Sequence, residues 1–147
     1  MKKRALVMTS FLLLSLIAVA PAVRAQQPLA VNVPFEFTVG NATLPAGDYR
    51  VQKLDGSSAV VLISCADASA SAMVLSNAAQ AKETQTQSKL IFKRYENRYF
   101  LSQVWTAGSI RGRELLKSRA EKEIAQSARL ETTGEVTLVA RLLPARP

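Results

Sequence analysis

Histidine is absent from this 147-residue chain, and cysteine occurs once, at Cys65. Without histidine there can be no Ser-His-Asp or Cys-His nucleophile pair, no histidine general base and no histidine-containing zinc site. A single thiol rules out a thiolate metal cluster within one chain. It also rules out an intramolecular disulfide, so the domain must be held together by packing. Cys65 closes the apolar run VVLISC, where a thiol reads as a small hydrophobe; an intermolecular disulfide is the alternative. The six glycines are scattered with none of the spacings of a phosphate-binding loop, and no serine is followed three residues later by lysine. These absences leave no catalytic residue, metal ligand or cofactor-binding residue to assign, and no cofactor is expected.

What the chain has begins at its N-terminus. Lys2, Lys3 and Arg4 precede an apolar run through Ala20, and Val23-Arg24-Ala25 supplies a small-x-small cleavage site. This is the organisation of an export signal spanning residues 1–25, with an uncleaved anchor as the alternative. Removing Lys2, Lys3, Arg4 and Arg24 lowers the cations from 19 to 15 against 11 acids, so the charge falls from +8 to +4. Half of the basicity therefore belongs to targeting, which weakens any case for nucleic acid. Residues 26–147 have the length of one β-rich domain, periplasmic or extracellular, with no stable membrane span once the signal is removed.

Residues 31–39 (VNVPFEFTV) alternate strictly between apolar and polar, the pattern of a half-buried strand, and Pro34 calls for an edge or a bulge. In LPAGDYRV, Pro45 and Gly47 form a turn ahead of a strand over residues 48–54. The placement of Tyr49 resembles the turn-then-tyrosine corner of β-sandwich modules, with a plain hairpin turn as the alternative. A turn over residues 55–58 leads to an apolar run, 59–65, expected as a central strand buried on both faces. Met73-Val74-Leu75 suggests a short strand and residues 77–88 an exposed loop. Ser118-Arg119-Ala120-Glu121 fits a capping box that opens a short helix over residues 118–129, and VTLVARL (136–142) fits a last strand.

Most aromatic side chains beyond the N-terminus lie in residues 89–105, KLIFKRYENRYFLSQVW, which reads as a β-hairpin turning at Glu96-Asn97. A two-residue turn places Leu90, Phe92, Arg94, Tyr99, Leu101 and Trp105 on one face. Ile91, Lys93, Tyr95, Arg98, Phe100 and Val104 fall on the other. Both faces are partly apolar, so the sheet must be covered on both sides, as in an antiparallel sandwich, or must close, as in a barrel. Arg94, Tyr95, Arg98 and Tyr99 cluster at the turn and are the candidate partner-binding residues. Together with Lys93, Arg111 and Arg113 they superficially match a nucleic-acid surface, yet strand alternation explains the same interleaving without a ligand.

Glu36, Asp48, Asp55, Asp67 and Glu96 are the carboxylates from which a hydrolase pair would have to come, and no spacing selects two of them. PFEFTVGNATLPAGDYRVQ, KLIFKRYENRYFLSQVW and GRELLKSRAEKEIA resemble an uncharacterised family of small exported bacterial β-rich proteins. That resemblance implies a secreted β-domain and supplies no site residues. The expectation is thus a mainly β, single-domain sandwich or barrel, exported and non-enzymatic, that binds or contributes structure at the cell envelope. An envelope component or a small apolar ligand is the expected partner, and nucleic acid is not. A carrier for a small apolar ligand in a barrel cavity is the first alternative, a carboxylate-dependent hydrolase the second.

Overall fold

The structure, a computed structural model, describes residues 27–54, 59–127 and 134–144. The expected signal segment, the expected turn at 55–58 and the end of the expected helix lie outside the described residues. The elements are β1 (Leu29–Val33), β2 (Phe37–Val39), β3 (Ala42–Leu44), β4 (Gly47–Lys53), β5 (Val60–Cys65), β6 (Ser71–Gln80), β7 (Ser88–Tyr95), β8 (Arg98–Trp105), β9 (Arg111–Leu115), α1 (Arg119–Ser127) and β10 (Gly134–Leu142). Eight of the strands form a closed ring in the order β8-β7-β10-β1-β4-β5-β6-β9, sealed by the pairing of β9 back onto β8. Closure removes the sheet edges that a sandwich would leave. Of the two architectures the sequence allows, the chain adopts the barrel.

Pro34 ends the β1–β4 ladder after Val33↔Gly47, because it has no N–H to donate. The chain then re-enters as β2, parallel to β8 at Thr38↔Phe100, with β3 antiparallel beside it. Residues 31–39 therefore belong to two strands and not one. Their alternation survives the break: Val31, Val33, Phe37 and Val39 are all buried in the same core. Phe37 meets Tyr49 edge to face at 5.0 Å and Phe92 at 5.4 Å, while Phe35 meets Phe92 at 5.3 Å. These rings fill one end of the barrel. Tyr49 is fixed there by its hydroxyl, which donates to Pro45 O at 2.6 Å, the corner that the turn-then-tyrosine spacing suggests.

Three other expectations are corrected. Residues 77–80 are not loop but the second half of β6, paired with β9 from Ser76↔Leu115 to Gln80↔Arg111. In β5 only Val61 and Ile63 are fully buried; Val60, Leu62 and Ser64 point outward and are half-buried. In the hairpin the turn is indeed two residues long, with Tyr95 opposite Arg98, but a bulge interrupts the ladder between Ile91 and Phe92. Ile91 pairs with Gln103 and Phe92 with Leu101, so Ser102 is the extra residue. Beyond it the faces exchange, sending Val104 into the lumen opposite Leu90 and Trp105 to the outer wall.

The Ser118 half of the expected capping box starts the helix, with Glu121 N–H donating to Ser118 Oγ at 3.1 Å, while the glutamate carboxylate is engaged elsewhere. The Glu121 side chain turns toward the sheet, where it accepts a hydrogen bond from Tyr95 Oη at 3.3 Å. Among the described residues, no helix is long and apolar enough to cross a membrane.

Candidate functional site

The four residues at the hairpin turn do not form one surface. Arg94 pairs with Tyr99 and Tyr95 with Arg98, so alternation sends the two pairs to opposite faces of the sheet. Tyr99 is half-buried, stacked on Phe35 at 3.9 Å, with the Arg94 guanidinium 5.8 Å from its ring and Arg94 Nε donating to Glu96 O. Tyr95 is buried between Phe100 and the Glu121 carboxylate, and Arg98 lies 5.3 Å from the Phe100 ring. Each cation therefore covers an aromatic ring. Two hollows flank the turn, of about 180 Å³ and 340 Å³. Each sets Arg98 against a carboxylate, Glu36 in the first and Glu96 and Glu123 in the second.

Among the described candidate acids, Glu36 lines the first hollow and Glu96 the second, while Asp48 and Asp67 are each engaged locally; Asp55 lies outside the described residues. Asp48 accepts a hydrogen bond from Asn32 Nδ2 at 2.9 Å, and Asp67 accepts one from Ser69 N–H at 2.9 Å. Hydrogen bonds from Ser69, with a further one from Cys65, hold the Asp67 carboxyl down to about 2. An acid so easily ionised is a poor proton donor.

A different site opens at the end of the barrel away from the aromatic plug. Strand β4 runs from Tyr49 in the plug to Lys53 at this opening, about 13 Å along the strand at ~3.3 Å per residue. The cavity measures about 290 Å³. Its floor is Leu29, Val51, Val61 and Val104, all buried lumen residues, with Leu142 at the side. Lys53, Arg111 and Arg113 stand over that floor, with Thr106 and Ser109 at the rim. Among the described residues that line it, none is acidic.

Pairing explains each placement. Val51 faces the lumen, so Lys53 two residues on does too, opposite Val61. On β9, Leu115 is buried in the core, and the same parity carries Arg113 and Arg111 inward, with Arg113 opposite Val104. Arg113 Nε donates to Ser76 Oγ at 3.0 Å, and that hydroxyl donates to Ala59 O at 2.8 Å, which orients the guanidinium. Lys53 is half-buried; burial first, and the Arg113 charge second, push its ammonium below the ordinary lysine value. The rim is fastened by Gly108 N–H donating to Gln85 O, by Gln85 N–H donating to Ser109 O, and by Ala107 N–H donating to Ser88 Oγ.

No family model, curated protein or solved structure matches this chain. The geometry of the barrel therefore has to speak for itself.

Larger hollows lie elsewhere, but they belong to the wall. One of about 440 Å³ occupies the crevice where β10 diverges from β1 beyond Ala30↔Arg141, bordered by both Asp48 and Arg50. Another of about 450 Å³ lies along the seam between the β2–β3 flap and β6. Only the mouth joins an apolar lumen floor to charges of a single sign among the described residues. Sequence reasoning singled out Arg111 and Arg113 as part of a basic-aromatic set and did not notice Lys53. The signal was the parity of Tyr49, Val51 and Lys53, which needs only the assumption that the tyrosine faces inward.

Proposed function

We propose that this protein is an exported, non-catalytic β-barrel that binds a small, largely apolar ligand in the open end of its lumen. The observation that carries the reading is the 290 Å³ cavity floored by Leu29, Val51, Val61 and Val104. Small barrels fill their interior with side chains or hold one small ligand, and here the aromatic plug fills one end and leaves the other open. At roughly 30 Å³ per water-sized volume, the cavity suits a ligand of about ten non-hydrogen atoms. Export is supported by the basic and apolar N-terminus with its small-x-small site, and the non-catalytic reading by the missing histidine and the scattered carboxylates.

Binding is tested by titrating the exported protein with a neutral fluorescent apolar probe and displacing it with octan-1-ol. Saturable, displaceable binding that Ser109→Trp blocks at the rim is the expected result. Probe binding that Ser109→Trp leaves intact would place the apolar surface elsewhere. Export is tested by fractionation and N-terminal sequencing, with a mature chain beginning at Gln26 expected; recovery of uncleaved chain from the cytosol alone would remove that part of the reading.

A further inference from the structure

We propose that α1 is a pH-released strap, which lies closed over Tyr95 while the Glu121 carboxyl carries a proton and lifts from the barrel once that proton passes to solvent. A helix of nine residues does not persist in water by itself, so α1 depends on the face that it buries. Such a face is normally an apolar stripe. In α1 the one buried side chain is instead a carboxylate, Glu121, with Ile124 and Ala125 half-buried beside it and the rest exposed.

The other supports of the helix are weak. They are the Ser118 cap, the Arg119–Glu123 pair in open solvent, and Ser127 Oγ donating to Glu123 O at 3.0 Å. Nor is the helix seated flush. The hollow of about 340 Å³ separates Glu123, Ile124 and Ser127 of α1 from Tyr95, Glu96 and Arg98 of the hairpin. Tyr95 itself is buried, edge to face with Phe100 at 5.7 Å, and its hydroxyl donates to Glu121 Oε1. Lifting α1 would therefore break that hydrogen bond and bare the Tyr95 ring.

The groups that face Glu121 set the direction of the response. The Tyr95 hydroxyl and Lys93 do so from β7, and Lys117 from the connection between β9 and α1; Glu96 and Arg98 lie across the hollow, beside Glu123. Burial has the largest effect and favours the neutral carboxyl, while the hydroxyl and the two lysines offset it only in part. Docked Glu121 thus keeps its proton to higher pH than Glu121 on a lifted helix. Docking is at full strength below the ordinary 4.5 and weakens as pH rises through the docked value. The lifted population grows by the ratio of the two proton affinities.

Amide exchange of the full mature chain, read by mass spectrometry from about pH 4 to about pH 8, tests the strap. Protection is taken relative to an unstructured peptide of the same sequence at each pH. Over that range α1 is expected to lose protection at least about threefold, while β4 and β7 keep theirs. Glu121→Gln, which carries no charge and still offers an oxygen to Tyr95, is expected to abolish the loss. Glu123→Gln, on the exposed side of the same helix, should leave it in place.

Protection of α1 that stays constant or rises with pH in the parent would overturn the proposal. So would a loss shared equally by β4 and β7, which would report opening of the whole domain. A loss that survives Glu121→Gln, or that disappears with Glu123→Gln, would put the trigger on another group and refute it as well.

Discussion

The indole of Trp105 lies directly over Gly112, so close that a methyl group on the glycine would stand 2.5 Å from ring atom Cε3. The two residues face each other across β8 and β9, in the short Gln103–Trp105 ladder that closes the barrel. Trp105 is itself fixed by Nε1 donating to Gln103 Oε1 at 2.9 Å. Gly112→Ala must therefore displace a large, buried ring or spread the closing strands. Overpacking of this kind costs about 1–3 kcal/mol. Urea unfolding followed by Trp105 fluorescence should show the loss together with a shifted emission maximum; an unchanged midpoint would mean that the seam yields freely.

The Tyr49 hydroxyl and Pro45 O form the shortest of the side-chain hydrogen bonds described above, at 2.6 Å, joining a buried ring to an exposed corner. Tyr49→Phe keeps the ring against Phe37 and removes only this bond. A loss of about 0.5–1.5 kcal/mol is expected. Thermal melting should register it as a modest fall in Tm with the spectrum preserved. A fall too small to detect would mean that water satisfies Pro45 O equally well.

Phe92 is fully buried and meets both Phe35 and Phe37 edge to face. Phe92→Ala would remove the shared partner of the plug and leave a cavity, for an expected cost of about 3–5 kcal/mol. Chemical denaturation measures it directly. Because the plug and the mouth are at opposite ends of the lumen, a chain that still folds should keep its mouth. Apolar probe bound with unchanged stoichiometry is the outcome that agrees with two separate ends.

Local chemistry made much of this barrel legible. Pro45 and Gly47 ahead of Tyr49 announced a corner, Ser118 announced the helix start, and the alternation of Val31, Val33, Phe37 and Val39 survived even the break at Pro34. What the sequence hid depends on partners distant in the chain. Asn77 to Gln80 are poor strand formers, and they extend because β9 pairs alongside, a tertiary effect that outweighs propensity. The bulge at Ser102 has no sequence mark, yet it exchanges the faces of Val104 and Trp105. The mouth was hidden for the same reason. Lys53, Arg111 and Arg113 look like ordinary surface cations until closure of β9 onto β8 brings their strands around one lumen.

Glu121 is the one carboxylate that the described fold buries. Burial raises its affinity for a proton, and the Tyr95 hydroxyl, Lys117 and Lys93 only partly offset this. With the folded value above the ordinary 4.5, the folded state holds more protons than the unfolded chain between the two values, so stability falls as pH rises through that window. Asp67, held down to about 2, acts in the opposite sense, its contribution being present above 3.8 and lost as pH falls toward 2. Glu121→Gln leaves Asp67 untouched and keeps an oxygen to accept from Tyr95 Oη, so the difference between variant and parent isolates Glu121. The two proteins should melt together near the acidic end, where Glu121 is already neutral. The variant should pull ahead as pH climbs through and beyond the ordinary 4.5, where only the parent must bury a charge. A constant gap across that range, or a variant less stable at neutral pH, would mean that Tyr95, Lys117 and Lys93 outweigh the cost of burial.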